Sequence, residues 1–173
     1  MLGGIFGGTA LIIFIAYACH RWNGKPIKSN ADFVNEAPAK PINHEKDPFE
    51  SGVWSSRYFQ NGMFHGPHSM TVRFDRSSST LTGEGTDDIG SFQVDGVFSM
   101  KNSRLGLVKK YQLGTGNPTE NFGHHVTIQL SWHEKNHQFE GKWFIQTSKY
   151  RGENRFELRF NNSPQNITGQ IKY

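Results

Sequence analysis

Cysteine is almost missing from this chain. Of 173 residues only Cys19 is one, and it sits in the apolar N-terminal run, so no disulfide can staple the domain that follows. Linear catalytic signatures are missing too, with no G-x-S-x-G, no H-E-x-x-H and no phosphate-binding loop. Charge of one sign is scarce: the formal net charge is +4 and no basic run is interleaved with aromatics. That argues against nucleic acid as a partner. After residue 50 no stretch carries the 3.6-residue apolar stripe of an amphipathic helix. These absences lead us to expect an all-β domain that is not an enzyme, with no catalytic residue, metal or cofactor to assign.

The most prominent feature present is a run without charge. Residues 2–19 read LGGIFGGTALIIFIAYAC, and polar sequence begins abruptly at His20-Arg21-Trp22. As a helix the run would reach roughly 27 Å, about the thickness of a hydrocarbon core. Residues 1–20 are therefore expected to form one transmembrane anchor in the lipid bilayer. Ala16-Tyr17-Ala18 also has the form of a signal-peptidase site, so secretion after cleavage stays open as the alternative. The lack of Lys or Arg before the run argues against it. Arg21, Lys25 and Lys28 follow the run, which places the C-terminal domain on the cytosolic or matrix side and lets the cations meet anionic headgroups. Within the run, Gly3/Gly7 and Gly4/Gly8 form two overlapping G-x-x-x-G pairs. That spacing lets a transmembrane helix of a partner protein approach closely.

Residues 21–48 hold Pro26, Pro38 and Pro41 among Lys, Asn and Glu, and read as a polar, extended linker. From 49 to 162 the apolar pattern has period two. Trp54-Ser56-Tyr58, Met70-Val72-Phe74, Leu81-Gly83-Gly85 and Phe92-Val94-Gly96-Phe98 mark four strands. A fifth runs from Leu105 to Tyr111, and Val126-Ile128-Leu130-Trp132, Phe139-Gly141-Trp143-Ile145 and Phe156-Leu158-Phe160 complete the set. Turn residues separate them, including Asn61-Gly62, Thr86-Asp87-Asp88 and Arg151-Gly152-Glu153-Asn154. Residues 163–173 are left as a tail. Eight short sequential strands favour an antiparallel up-and-down barrel, which leaves no sheet edge, over a two-sheet sandwich of the same periodicity.

Gly52-Val53-Trp54, opening the first strand after an extended lead-in, resembles the Gly-x-Trp start of the calycin group, which includes lipocalins, fatty-acid-binding proteins and avidins. The resemblance implies a calycin-like barrel with Trp54 plugging one end beneath Gly52, and Arg155 or Arg159 of the last strand packing over its ring. A second lipocalin signature is missing.

Other residues with chemical potential read as structural. His65, His68, His124 and His125 are of a type that binds zinc, but neighbours on a strand point to opposite faces, so His124 and His125 cannot share a site. Glu84, Asp87 and Asp88 crowd one loop without the spacing of a calcium site and read as turn chemistry. Lys109 and Lys110 put one lysine outside and one at the barrel mouth. Ten inward candidates are aromatic or Met: Trp54, Tyr58, Met70, Phe74, Phe92, Phe98, Trp132, Trp143, Phe156 and Phe160. So many rings are expected to fill most of an eight-stranded interior. The expected function is that of a membrane-anchored interaction module, an accessory subunit of a larger membrane complex in an organelle such as the mitochondrion. The alternative is a membrane-tethered, lipocalin-like carrier of a small apolar ligand.

Overall fold

The computed structural model describes residues 24–36 and 47–161. The expected anchor at residues 1–20, including Gly3, Gly4, Gly7 and Gly8, and the tail at 163–173 lie outside the described residues. Among the described residues no helix is long and apolar enough to cross a membrane. One short helix, α1 (Asn30–Asn35), precedes eight strands: β1 (Gly52–Gln60), β2 (Met63–Asp75), β3 (Thr80–Thr86), β4 (Ser91–Ser99), β5 (Arg104–Tyr111), β6 (His125–His133), β7 (Gln138–Gln146) and β8 (Arg151–Phe160). Each strand pairs antiparallel with the next and β8 closes on β1, giving a closed eight-stranded barrel. Side-chain alternation drives this closure. On β4, Phe92, Val94 and Phe98 are buried while Gln93 and Asp95 are exposed, so one face of every strand must turn inward.

The connections β2–β3, β4–β5 and β6–β7 lie at one end, and aromatic rings close it. Trp54 is wholly buried, with Phe74, Phe139 and Phe160 at ring-centroid distances of 6.1, 5.8 and 5.2 Å. Its indole Nε1–H donates to the Glu50 carbonyl at 2.9 Å. Phe49 of the lead-in enters the same cluster, 4.6 Å from Phe98 and 5.4 Å from Phe139. Gly52 is needed for close approach here: its φ is +151° and a Cβ would stand 3.0 Å from the Phe160 ring.

The expected arginine lid over Trp54 does not form. β8 alternation points Phe156, Leu158 and Phe160 inward and leaves Arg155 and Arg159 exposed on the outer wall. Arg155 stacks outside on Phe59 and Phe64, each 5.0 Å from its guanidinium, and Arg159 donates to the Asn136 carbonyl at 3.2 Å. The cation at this end is Arg76, from the β2–β3 turn. It ion-pairs with Asp47 and donates to the Phe49 carbonyl at 3.0 Å, clamping the lead-in.

Two boundaries also differ from expectation. The last turn is not at Arg151-Gly152-Glu153-Asn154, which pairs with β7 in register. It lies at 147–150, where the Thr147 hydroxyl accepts the backbone N–H groups of Lys149 and Tyr150. Residues 24–36, expected as part of an extended linker, instead lie along the outer wall. Ser29 caps α1 by accepting the Asp32 N–H at 3.1 Å. Val34 is buried and its carbonyl accepts from the Asn102 side chain at 2.7 Å. Gln129 Nε2 donates to the Lys28 carbonyl at 2.9 Å. Polar outward side chains of β5, β6 and the β4–β5 turn thus receive a strap that composition alone marks as linker.

Candidate functional site

The other barrel end, where the β1–β2, β3–β4, β5–β6 and β7–β8 connections gather, holds a cavity of about 300 Å³. That volume is at the small end of ligand sites. Ile89, Val126, Ile128, Trp143, Ile145 and Phe156 form apolar walls, and Tyr58, Lys109, Tyr111 and His124 supply polar groups. The aromatic cluster fills the closed half. In the open half, Val126, Ile128 and Ile145 are too short to reach across, so the interior is filled at one end and hollow at the other.

Lys109 follows the inward parity of Leu105 and Leu107 and is 4% exposed. Burying an ammonium is expensive unless it is paired. Asp87, on the β3–β4 turn, is the partner: Lys109 Nζ donates to its Oδ2, and the Tyr111 hydroxyl donates to the same oxygen at 2.7 Å. Asp87 Oδ1 accepts the N–H groups of Ile89 at 3.0 Å and Gly90 at 3.1 Å. Asp87 is therefore both a turn former and a buried counterion. The Lys109 ammonium lies 3.9 Å from the centroid of Phe92 and 4.9 Å from that of Tyr111. Burial lowers the Lys109 pKa, and the Asp87 charge opposes that shift. Burial, then the adjacent Asp87, pushes the Tyr111 phenol well above its ordinary value, so it is a neutral donor.

A second polar group continues from the first. Asp88 accepts from the Tyr58 hydroxyl and lies 2.6 Å from His65 Nδ1 and 3.5 Å from His68 Nε2. Burial works against the Asp88 carboxylate, but hydrogen bonds from Tyr58 and His65 outweigh it and hold its pKa below the usual value. His65 and His68 are three apart and would face opposite ways on a regular strand. A bulge opposite Ser56/Tyr58 restores the parity, and both rings stack on Tyr58, at 4.8 and 5.9 Å.

His124 and His125 separate as strand alternation requires, one lining the cavity and one exposed. His124 packs at a tilt against Tyr111, with ring centroids 4.8 Å apart, and its buried Nδ1 has no hydrogen-bond partner within the protein. Burial, with the Lys109 charge adding to it, lowers the His124 pKa and favours neutral imidazole. Glu84 is exposed on β3, apart from Asp87 and Asp88, which face different partners. Lys110 is outside, 3.6 Å from Asp95. Among the described residues no group of three His, Cys, Asp or Glu side chains is arranged to hold a metal ion.

The buried Lys109–Asp87 pair is the feature sequence reading missed, although the period-two run Leu105-Leu107-Lys109-Tyr111 carried its signal. Chemically, the cavity offers an apolar body space and, at one side, a lysine with spare N–H donors and an unpartnered imidazole nitrogen. Comparison of the chain with protein-family models, with curated proteins and with solved structures finds no match.

Proposed function

We propose that this protein is a non-catalytic, calycin-like binding barrel that holds a small, mainly apolar molecule with one polar end, while an N-terminal helix anchors it to a membrane. The cavity of about 300 Å³ carries the reading, because an interior filled by its own side chains would have room for no guest. The volume corresponds to roughly ten waters at about 30 Å³ each, which suits a small organic molecule. Lys109 and His124 Nδ1 are the groups that would meet its polar end. Asp87 is committed to Lys109 and Tyr111, and Asp88 to Tyr58 and His65, which is why binding is favoured over catalysis. The anchor rests on residues 2–19, and the cytosolic or matrix-side orientation rests on Arg21, Lys25 and Lys28.

The test is titration of the purified full chain with apolar fluorescent probes, alongside native mass spectrometry for a retained small molecule. Saturable binding is expected. Val126→Phe adds bulk to free space and not to packed atoms, so it should abolish binding and leave the melting temperature nearly unchanged. Probe binding that survives Val126→Phe would place the guest elsewhere and remove the basis of this reading.

A second reading draws on the paired glycines of residues 3–8: the anchor packs against a partner's helix, making the protein an accessory subunit of a larger, organellar assembly. Gly3→Ile combined with Gly7→Ile should then release the chain from that assembly on native gels without altering barrel melting. Unchanged migration would discard the role given to the glycines.

A further inference from the structure

We propose that the open mouth of the barrel rests on the bilayer, with Met63, Leu113, Phe122 and Tyr150 dipping into the lipid interface. The proposal rests on reading residues 2–19 as an uncleaved membrane anchor, and it fixes which end of the barrel meets the lipid.

Topology supplies the first argument. In an up-and-down barrel alternate connections share an end, so Met63 after the β1–β2 turn, Leu113 and Phe122 in the β5–β6 loop and Tyr150 in the β7–β8 turn all ring the cavity mouth. Each is a large apolar or aromatic side chain left exposed, Leu113 by 72% and Met63 by 60%. Of the other exposed large apolar residues among those described, Val53 and Met100 lie towards the plugged end and Ile27, 88% exposed, lies on the strap. An exposed apolar ring around a cavity marks an interaction surface.

Chain length supplies the second. Gly24 is seated at the mouth end of the outer wall, against β7 and β8. Its φ is +81°, and a Cβ there would stand 2.1 Å from the Ile145 carbonyl oxygen and 2.9 Å from Gly152 N. From Gly24 the strap runs past Gln129 towards Asn102 at the plugged end. The described strap therefore begins on the mouth side. Five chain steps separate Cys19 from Gly24, a reach of at most about 18 Å. Ile145, against which Gly24 sits, is seven steps along β7 from Gln138, roughly 23 Å along the strand or roughly 18 Å along a barrel axis tilted by about 40°. With the plugged end on the membrane, the tether would have to be fully extended to reach Gly24. Mouth-down is within reach, and of the arrangements within reach it alone covers the apolar ring.

Charge supplies the third. Lys25 is exposed beside Gly24, and Lys149 lies on the rim with its ammonium 4.5 Å from the Phe122 ring. Cations next to interfacial aromatics suit an anionic lipid surface. Glu120 and Asp88 are also at this end, but Asp88 is committed to Tyr58 and His65. A mouth on the bilayer would let the guest pass between lipid and cavity without crossing water.

The experiment uses the full chain with Cys19→Ser, reconstituted into vesicles of phosphatidylcholine with phosphatidylserine. One cysteine is introduced at a time, F122C at the mouth or M100C at the plugged end, and labelled with an environment-sensitive dye. Vesicles carry a quencher attached to the lipid near the headgroup. The label at 122 should be quenched several-fold more strongly than the label at 100, and adding Leu113→Ser with Met63→Ser should reduce the difference while the protein still floats with the vesicles. Equal quenching at the two ends, in protein that floats, overturns the mouth-down arrangement and leaves the anchor intact. Protein that does not float with vesicles overturns the anchor reading and the proposal with it. A photo-cross-linker attached at 122 that captures a partner or a second copy in the vesicles would show that a protein covers the ring, and would equally overturn it.

Discussion

Trp54→Ala should cost roughly 3–5 kcal/mol, the range for deleting a large buried aromatic, and lower the melting temperature by about 10–20 °C. The expectation follows from the closed end. Trp54 is surrounded by Phe74, Phe139 and Phe160, and Phe139 and Phe74 also touch Phe49. Removing the indole opens a void beneath rings that are tied to three strands and the lead-in, so the cluster cannot collapse around it cheaply. Trp54→Phe, which retains a ring but loses the bond to the Glu50 carbonyl, should cost less than half as much. Thermal denaturation of the two variants decides the matter. A melting temperature for Trp54→Ala within a few degrees of the native chain would mean that the plug does not hold the barrel shut.

The second large effect is expected at Asp87. In Asp87→Asn the turn acceptor for Ile89 and Gly90 can be kept, but the charge opposite Lys109 is gone. Leaving one member of a buried pair costs about 3–5 kcal/mol. Asp87→Asn with Lys109→Met should recover much of this, because the uncompensated ammonium is then gone as well. The pH dependence carries its own sign. Burial already lowers the Lys109 pKa below 10.5, so between its folded and unfolded values the unfolded chain binds more protons and stability rises with pH. Without Asp87 the folded pKa falls further and this window widens downward. Asp87→Asn should therefore gain stability as pH rises towards 10.5 over a broader range than the native chain does. Denaturant melts at several pH values would sink the idea if single and double variants were equally stable, or if the single variant showed no such rise.

Much of the barrel could be read from the chain because β structure writes its burial at period two. Val126-Ile128-Leu130 and Phe92-Val94-Phe98 face inward as that pattern requires. The misreadings have local causes. The stretch Gly152-Glu153-Asn154 has turn composition, yet ladder pairing with Trp143 and Phe144 outweighs it. The strap at 24–36 has no apolar stripe, since it is held mostly through backbone carbonyls by Asn102, Arg104 and Gln129. A sequence pattern cannot reveal acceptors every residue possesses. The cavity was hidden for a different reason. Counting inward aromatics gives a total, whereas their distribution along the barrel axis decides whether space remains. Arg155 and Arg159 were assigned from the resemblance against the parity of their own strand, and parity was the better guide.

The strap also has a consequence for the order in which the molecule assembles. Lys28 meets Gln129, and β1 cannot close against β8 until Phe160 has been made. During synthesis the N-terminal segment emerges first and waits for partners 68 to 101 positions later in the chain. A membrane helix formed by residues 2–19 would engage lipid while the barrel was still unfolded beside it. Docking of residues 24–36 would follow the pairing of β5 with β6, drawing the barrel towards an anchor already in place. Contacts of such long sequence separation slow folding, so the strap is expected to dock only after the hairpins that it covers have paired.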